Sequence, residues 1–155
     1  MQRSEEAFPD GSFDADHFRA IHRHLFQDVY DWAGEPRTIR VFKDGSPFSY
    51  PENFERELTK LFDGLRNRDG LRGRDADGFA AGAAHLLAEL NAIHLFREGN
   101  GRTQSAFLAM LAADAGHPLD LTRLEPEVWM RAMVRSFYVD AGDLAKLIRN
   151  LIIEA

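Results

Sequence analysis

The chain has 155 residues, a length that fits one domain over 1–155, buries ~68–70% of its unfolded surface and needs no disulfide or structural metal to hold a core. Its 45% hydrophobic and 28% charged residues are the balance of a globular protein and exclude a disordered or collagen-like polymer. A net charge of −6 argues against broad binding to nucleic acid or anionic membrane, and the absence of cysteine removes disulfides, thiolate nucleophiles and Cys-ligated zinc. That composition suits a reducing compartment, so a cytoplasmic setting is expected. The lead-in MQRSEEAFPDGSF has no apolar stretch, and no window approaches the roughly 18 to 20 apolar residues a membrane span needs.

In chain order, Phe18, Ile21, Leu25, Val29 and Trp32 recur at helical spacing, with Asp14 or Asp16 as cap and Gly34 and Pro36 as stop. The period then changes in RTIRVFKDGSPFSY: Ile39 and Val41 alternate with arginines, Asp44-Gly45 is a tight-turn dipeptide, and Phe48 and Tyr50 resume beyond it, which predicts a β-hairpin. Two strands alone are marginal in water, so this ribbon leans on helices or serves as a mobile flap. Pro51 opens a helix carried by Phe54, Leu58, Leu61, Phe62 and Leu65. RNRDGLRGRD reads as a solvated loop, with a phosphate-binding patch on its arginines as the alternative. Phe79, Ala83, Leu86, Leu87, Leu90 and Ile93 predict a long, central, alanine-rich helix running into His94. Three further helices are expected around Phe107–Leu111, Val128–Phe137 and Leu144–Ile152, giving a mainly α domain of about six helices with one hairpin.

HLFREGNGR, His94 to Arg102, joins two apolar helices and is hard to explain by packing. Gly99, Asn100 and Gly101 let successive backbone N–H groups point into one concavity at the mouth of a helix, where the dipole favours phosphate. Arg102 adds a fork of donors. Glu98 is a hard oxygen ligand of the kind that shares Mg²⁺ with a nucleotide, and His94, at the negative end of a helix dipole, is expected to titrate near neutrality and accept a proton from a hydroxyl. Phe96 is expected to pack inward and fix the loop. A metal-hydrolase reading of His85, Glu89 and His94 is poor, since His94 falls on a different helix face from the first pair.

These residues resemble the signature of Fic-domain proteins, H-P-F-x-[D/E]-G-N-G-R-x-x-R. His94, Phe96, Glu98, Gly99, Asn100, Gly101 and Arg102 match it, and the stretches Tyr30-Asp31-Trp32-Ala33-Gly34 and Tyr50-Pro51-Glu52 stand in the family's order. The resemblance implies a Fic-type helical fold and AMP transfer from Mg·ATP to a Ser, Thr or Tyr hydroxyl of a target protein. It makes His94 the general base, Glu98 the Mg²⁺ ligand, Gly99, Asn100 and Gly101 the phosphate nest, and Arg102 a charge neutraliser. It also makes the hairpin a flap that docks the target by strand addition along Lys43, Asp44, Gly45, Ser46, Pro47 and Phe48.

Two positions depart from the signature. Leu95 stands for proline, which is expected to loosen the loop entrance. Ser105 stands for the second arginine, which in the family orients the outer phosphates and pairs with an inhibitory glutamate; Arg97 and Arg135 are the candidates to compensate. A weak or silent nucleotide-binding module, or transfer of a different nucleotide, is the competing reading. No [S/T]-x-x-x-E-[G/N] inhibitory element is found. In the family that pattern implies a toxin-like protein held by a small separate antitoxin, with type II topoisomerase subunits among the targets.

Overall fold

The computed structural model describes residues 6–154; the first five residues of the lead-in, part of the leader-free reading, lie outside them. The fold is mainly α: α1 (Ala15–Phe26), a two-stranded ribbon β1 (Phe42–Lys43) and β2 (Ser46–Pro47), α2 (Phe54–Asn67), α3 (Ala76–Ile93), α4 (Asn100–Asp114), α5 (Pro126–Tyr138) and α6 (Gly142–Leu151). The α3 helix is central, packing against α2, α4, α5 and α6, while α1 lies on α4 and α2. Its alanines let the surrounding helices approach closely, and Phe79, Ala83, Leu86, Leu87 and Leu90 are all buried. No helix among the described residues is long and apolar enough to cross a membrane.

Three local predictions change. The first helix stops at Phe26 instead of running to Trp32: Gly34 turns back with φ +81°, its carbonyl accepting from Arg19 Nε at 2.9 Å and its N–H donating to His22 Nδ1 at 2.9 Å. Val29 is consequently exposed. Asp14, not Asp16, caps α1, accepting from His17 N–H at 2.8 Å.

The segment between α2 and α3 is largely exposed, as expected, but it carries one buried anchor. A short 3-10 turn at Asp69–Leu71 drives Leu71 into the core at 0% exposure, against Gly82, where an added Cβ would meet Leu71 Cδ2 at 2.9 Å. Three of its four arginines are engaged locally: Arg66 pairs with Asp63 at 2.9 Å, Arg68 Nε donates to the Gly64 carbonyl at 3.1 Å, and Arg72 pairs with Asp114 at 2.6 Å. They form no free phosphate patch.

The hairpin is shorter than the alternation predicts, with Phe42 opposite Pro47 and Lys43 opposite Ser46 across an Asp44-Gly45 turn whose residues both have positive φ. Pro47 has no N–H to extend the ladder, and the carbonyls of Ile39 and Ser49 are taken by the Arg37 side chain, not by a cross-strand partner. Nor is the ribbon unsupported. Phe48 is buried against Phe137, and the Tyr138 hydroxyl donates to the Lys43 carbonyl at 2.8 Å. Because Leu71 is fully packed, Leu71→Ala is expected to cost about 2–5 kcal/mol in urea unfolding; a loss below about 0.5 kcal/mol, the mark of a surface loop, would contradict this placement.

Candidate active site

His94 closes α3 as its C-cap in the left-handed region, φ +50° and ψ +61°, a conformation a residue with a Cβ adopts only when its surroundings hold it. The hold is the guanidinium of Arg37, itself 2% exposed. Its Nε donates to the His94 carbonyl at 2.6 Å, and its terminal nitrogens donate to Ile39 at 2.6 Å, Ser49 at 2.6 Å and Ile93 at 3.1 Å. Its backbone N–H donates to the Leu95 carbonyl at 2.9 Å, and Ser49 N–H donates to Ala92 at 3.0 Å. The orphan carbonyls at the end of α3 are thereby met by a cation and by the flap's own backbone. Leu95, 1% exposed and tied through this bond, anchors the loop entrance.

This arrangement reverses the expected titration of His94. The negative end of the α3 dipole is already occupied by Arg37. The imidazole stacks on Phe48 with centroids 4.0 Å apart and planes 11° apart. Burial first, then the charges of Arg37 and Lys43, push its pKa down to about 4, so the ring is neutral at pH 7.

From His94 the chain turns inward at Phe96, fully buried and stacked on His22 at 3.8 Å. The Asn100 carboxamide folds back on the same residue, accepting from Phe96 N–H at 2.9 Å and donating to the Phe96 carbonyl at 2.7 Å. Asn100 thus closes the loop with its side chain. Gly99, at φ +81°, is the N-cap of α4, and a Cβ there would collide with the Phe26 ring. Gly101 is different. It sits in the first turn of α4 with nothing within 4 Å of an added Cβ, so no protein atom demands glycine there; the space belongs to the cavity it lines.

That cavity, about 810 Å³, is lined by His94, Asn100, Gly101, Arg102, Gln104 and Ser105 on one side, by Lys43 and Phe48 of the flap, and by an apolar wall from Met110, Leu121, Trp129, Met130 and Met133. Of the predicted site residues, Glu98 and Gly99 lie outside the lining, as do Asp44, Gly45, Ser46 and Pro47. Arg97 lies over Trp32 at 5.2 Å and Arg135 pairs with Asp143 at 3.4 Å, so neither reaches the cavity to stand in for an arginine at 105. His85 and Glu89 are exposed and 3.9 Å apart, and among the described residues no three His, Asp or Glu side chains gather as a metal site.

Among the described residues, two buried side-chain polar atoms have no hydrogen-bond partner, His94 Nδ1 and Gln104 Oε1, and both residues line this cavity. A buried unmade hydrogen bond costs about 1–3 kcal/mol, and the coincidence marks a place built for a ligand. Sequence reasoning missed Arg37 and His22. The His22 ring is wholly buried; it accepts from Gly34 N–H at Nδ1 and therefore donates from Nε2 to the Glu98 carbonyl at 2.8 Å, fixing the neutral tautomer and the loop together. Burial lowers its pKa.

With this geometry in hand, a sequence model described as the Fic/DOC family matches residues 12–112. "Probable protein adenylyltransferase y4lH" of Sinorhizobium fredii is 54% identical over 97% of this chain and 79% of its own length. "Protein adenylyltransferase VbhT" of Bartonella schoenbuchensis is 40% identical over 93% of this chain, which spans 30% of that longer protein. Among solved structures, the BepC protein of Bartonella tribocorum, crystallised with bound AMPPNP, superposes with a TM-score of 0.85 at 25% identity, covering 97% of this chain and 79% of its own.

The two glycines make opposite predictions. Gly99→Ala is expected to lose at least about 1–2 kcal/mol of stability from the left-handed backbone alone. Gly101→Ala is expected to keep or raise the melting temperature while weakening nucleotide binding, read by calorimetry. Equal nucleotide affinity in Gly101→Ala and the wild type would contradict the assignment of that space to a ligand.

Proposed function

The chain belongs to the Fic/DOC family, and from that premise we propose that it is a protein adenylyltransferase, moving AMP from ATP to a hydroxyl side chain of a target protein. The observation that carries the site assignment is the convergence of open space at Gly101 and the two orphaned polar atoms of His94 and Gln104 on one cavity.

The roles follow from placement. The free N–H groups opening α4 and the Arg102 guanidinium receive the phosphates. The imidazole of His94, neutral at physiological pH and without a protein partner on either ring nitrogen among the described residues, takes the proton of the attacking hydroxyl. The hydroxyl oxygen bonds to the α-phosphorus, the bond to the β-phosphate oxygen breaks, and pyrophosphate leaves. Asn100 acts by closing the loop on Phe96 and by its own backbone N–H at the helix mouth.

Glu98 suits a Mg²⁺ ion only in company with phosphates. Its carboxylate is exposed and unpaired among the described residues, because His22 uses only its carbonyl, and a lone carboxylate plus substrate oxygens is how proteins usually share this ion. Such an ion would neutralise charge on the polyphosphate. The exposed side chains of Ile39 and Phe42 beside the turn support docking of an extended target segment along the flap from Lys43 to Phe48. The apolar rim at Leu121 and Met130 supports a small inhibitory antitoxin as partner of a toxin-like enzyme. A cytoplasmic setting and a topoisomerase target rest on the family resemblance.

Ser105 favours a second reading, a weak or silent nucleotide-binding module, since it lines the cavity without charge. Incubation with labelled ATP, Mg²⁺ and a bacterial lysate separates the two: a labelled band that falls by about 10²–10⁴ in His94→Ala is expected of the enzyme. Nucleotide binding with no label in the wild type would favour the silent module. Because the His94 pKa is lowered, the base stays competent as pH falls, and kcat/KM is expected to hold down to about pH 5. A drop centred near pH 6.5, the ordinary histidine value, would contradict a neutral buried base.

A further inference from the structure

Charge is distributed unevenly around this cavity. The protein carries 25 acidic residues and a net charge of −6, yet no aspartate or glutamate is among the residues lining the cavity, whose formal charges are Lys43 and Arg102. Both line the space, Arg102 from the first turn of α4, with its guanidinium 5.2 Å over the Phe26 ring, and Lys43 from β1 of the flap.

Lys43 is held in a way that a merely solvated flap residue is not. Its backbone is anchored by the Tyr138 hydroxyl at 2.8 Å, the neighbouring Phe48 is clamped between His94 and Phe137, and Arg37 ties the base of the ribbon to the end of α3. Among the described residues no carboxylate pairs with its ammonium, whereas six arginine and histidine side chains there have such partners: Arg40, Arg66, Arg72, His85, Arg135 and Arg149. The Lys43 charge lies close enough to the imidazole to disfavour its protonation, so a half-buried cation without a carboxylate partner stands beside the neutral base.

The signature places a second guanidinium at position 105, where this chain has serine, and neither Arg97 nor Arg135 reaches the cavity. We infer that Lys43 supplies the missing positive charge, its ammonium binding the outer phosphates of the nucleotide from the flap side. The inference rests on the nucleotide reading above and deepens it. No covalent bond is made to Lys43, whose ammonium meets the charge that collects on departing pyrophosphate. Nucleotide binding is then coupled to the position of the flap, the same ribbon that docks the target.

The test is calorimetric titration of the full chain with Mg·ATP and with AMP, for the wild type, Lys43→Met, Lys43→Arg and Lys43→Met combined with Ser105→Arg. Lys43→Met is expected to weaken ATP roughly tenfold or more, the worth of a charge-assisted contact, and AMP much less. Lys43→Arg should retain most of the affinity, and Ser105→Arg should restore it in the Met background. A folded Lys43→Met protein, judged by an unchanged melting temperature, that keeps the wild-type ratio of ATP to AMP affinity overturns the inference while leaving the nucleotide reading intact. A wild type that binds neither nucleotide overturns both.

Discussion

A buried guanidinium with no carboxylate partner among the described residues sits where α3 ends, where the flap begins and where the signature loop departs, and these three elements meet because Arg37 bonds to each of them. Desolvating such a cation costs several kcal/mol unless its donors are satisfied. Here four backbone carbonyls satisfy them, and three of these, of Ser49, Ile93 and His94, come from segments that would otherwise be free to separate. The left-handed conformation of His94, the burial of Leu95 and the placement of Phe48 over the imidazole all follow from that one clamp. Together with burial, which is the larger cause, its charge and that of Lys43 hold His94 neutral at pH 7.

His22 serves the opposite end of the loop. Between Gly34 and the Glu98 carbonyl it links the turn after α1 to the stretch before α4, and its stacking on Phe96 continues the aromatic packing through Phe18 to Phe107. The loop is therefore gripped from both sides and closed internally by Asn100, so that the N–H groups at the helix mouth are preorganised and do not have to be ordered by a ligand. Glycine does two jobs within three residues: Gly99 lets the chain pass Phe26, and Gly101 leaves room.

The six helices and the signature loop were legible because their information is local. The apolar spacing of Phe79 through Ile93 dictates a helix whatever surrounds it, and Gly99-Asn100-Gly101 ahead of an apolar run marks a helix mouth. Arg37 was illegible for the converse reason. In sequence it is one of several arginines alternating with Ile39 and Val41, which is the pattern of an exposed strand face, while its partners His94 and Ile93 lie 57 and 56 residues away. An isolated histidine in an amphipathic helix, as His22 is, likewise carries no mark of a carbonyl 76 residues distant. The hairpin is shorter than its alternation suggests because Pro47 interrupts the ladder, and the buried anchor of the Arg-rich segment is hidden in sequence because one leucine among four arginines gives no period to read. The lowered pKa of His94 is illegible in sequence because its causes, burial first and then the charges of Arg37 and Lys43, come from residues distant in the chain.

The central claim is that Arg37 and the aromatic packing hold His94 as a neutral base over a phosphate cradle. It is tested most directly by following the ¹⁵N resonances of the His94 imidazole through a pH titration of the nucleotide-free protein. The account predicts a neutral ring from pH 8 down to about 5, with a midpoint near 4. A midpoint at the ordinary histidine value, roughly 6.5, would contradict it.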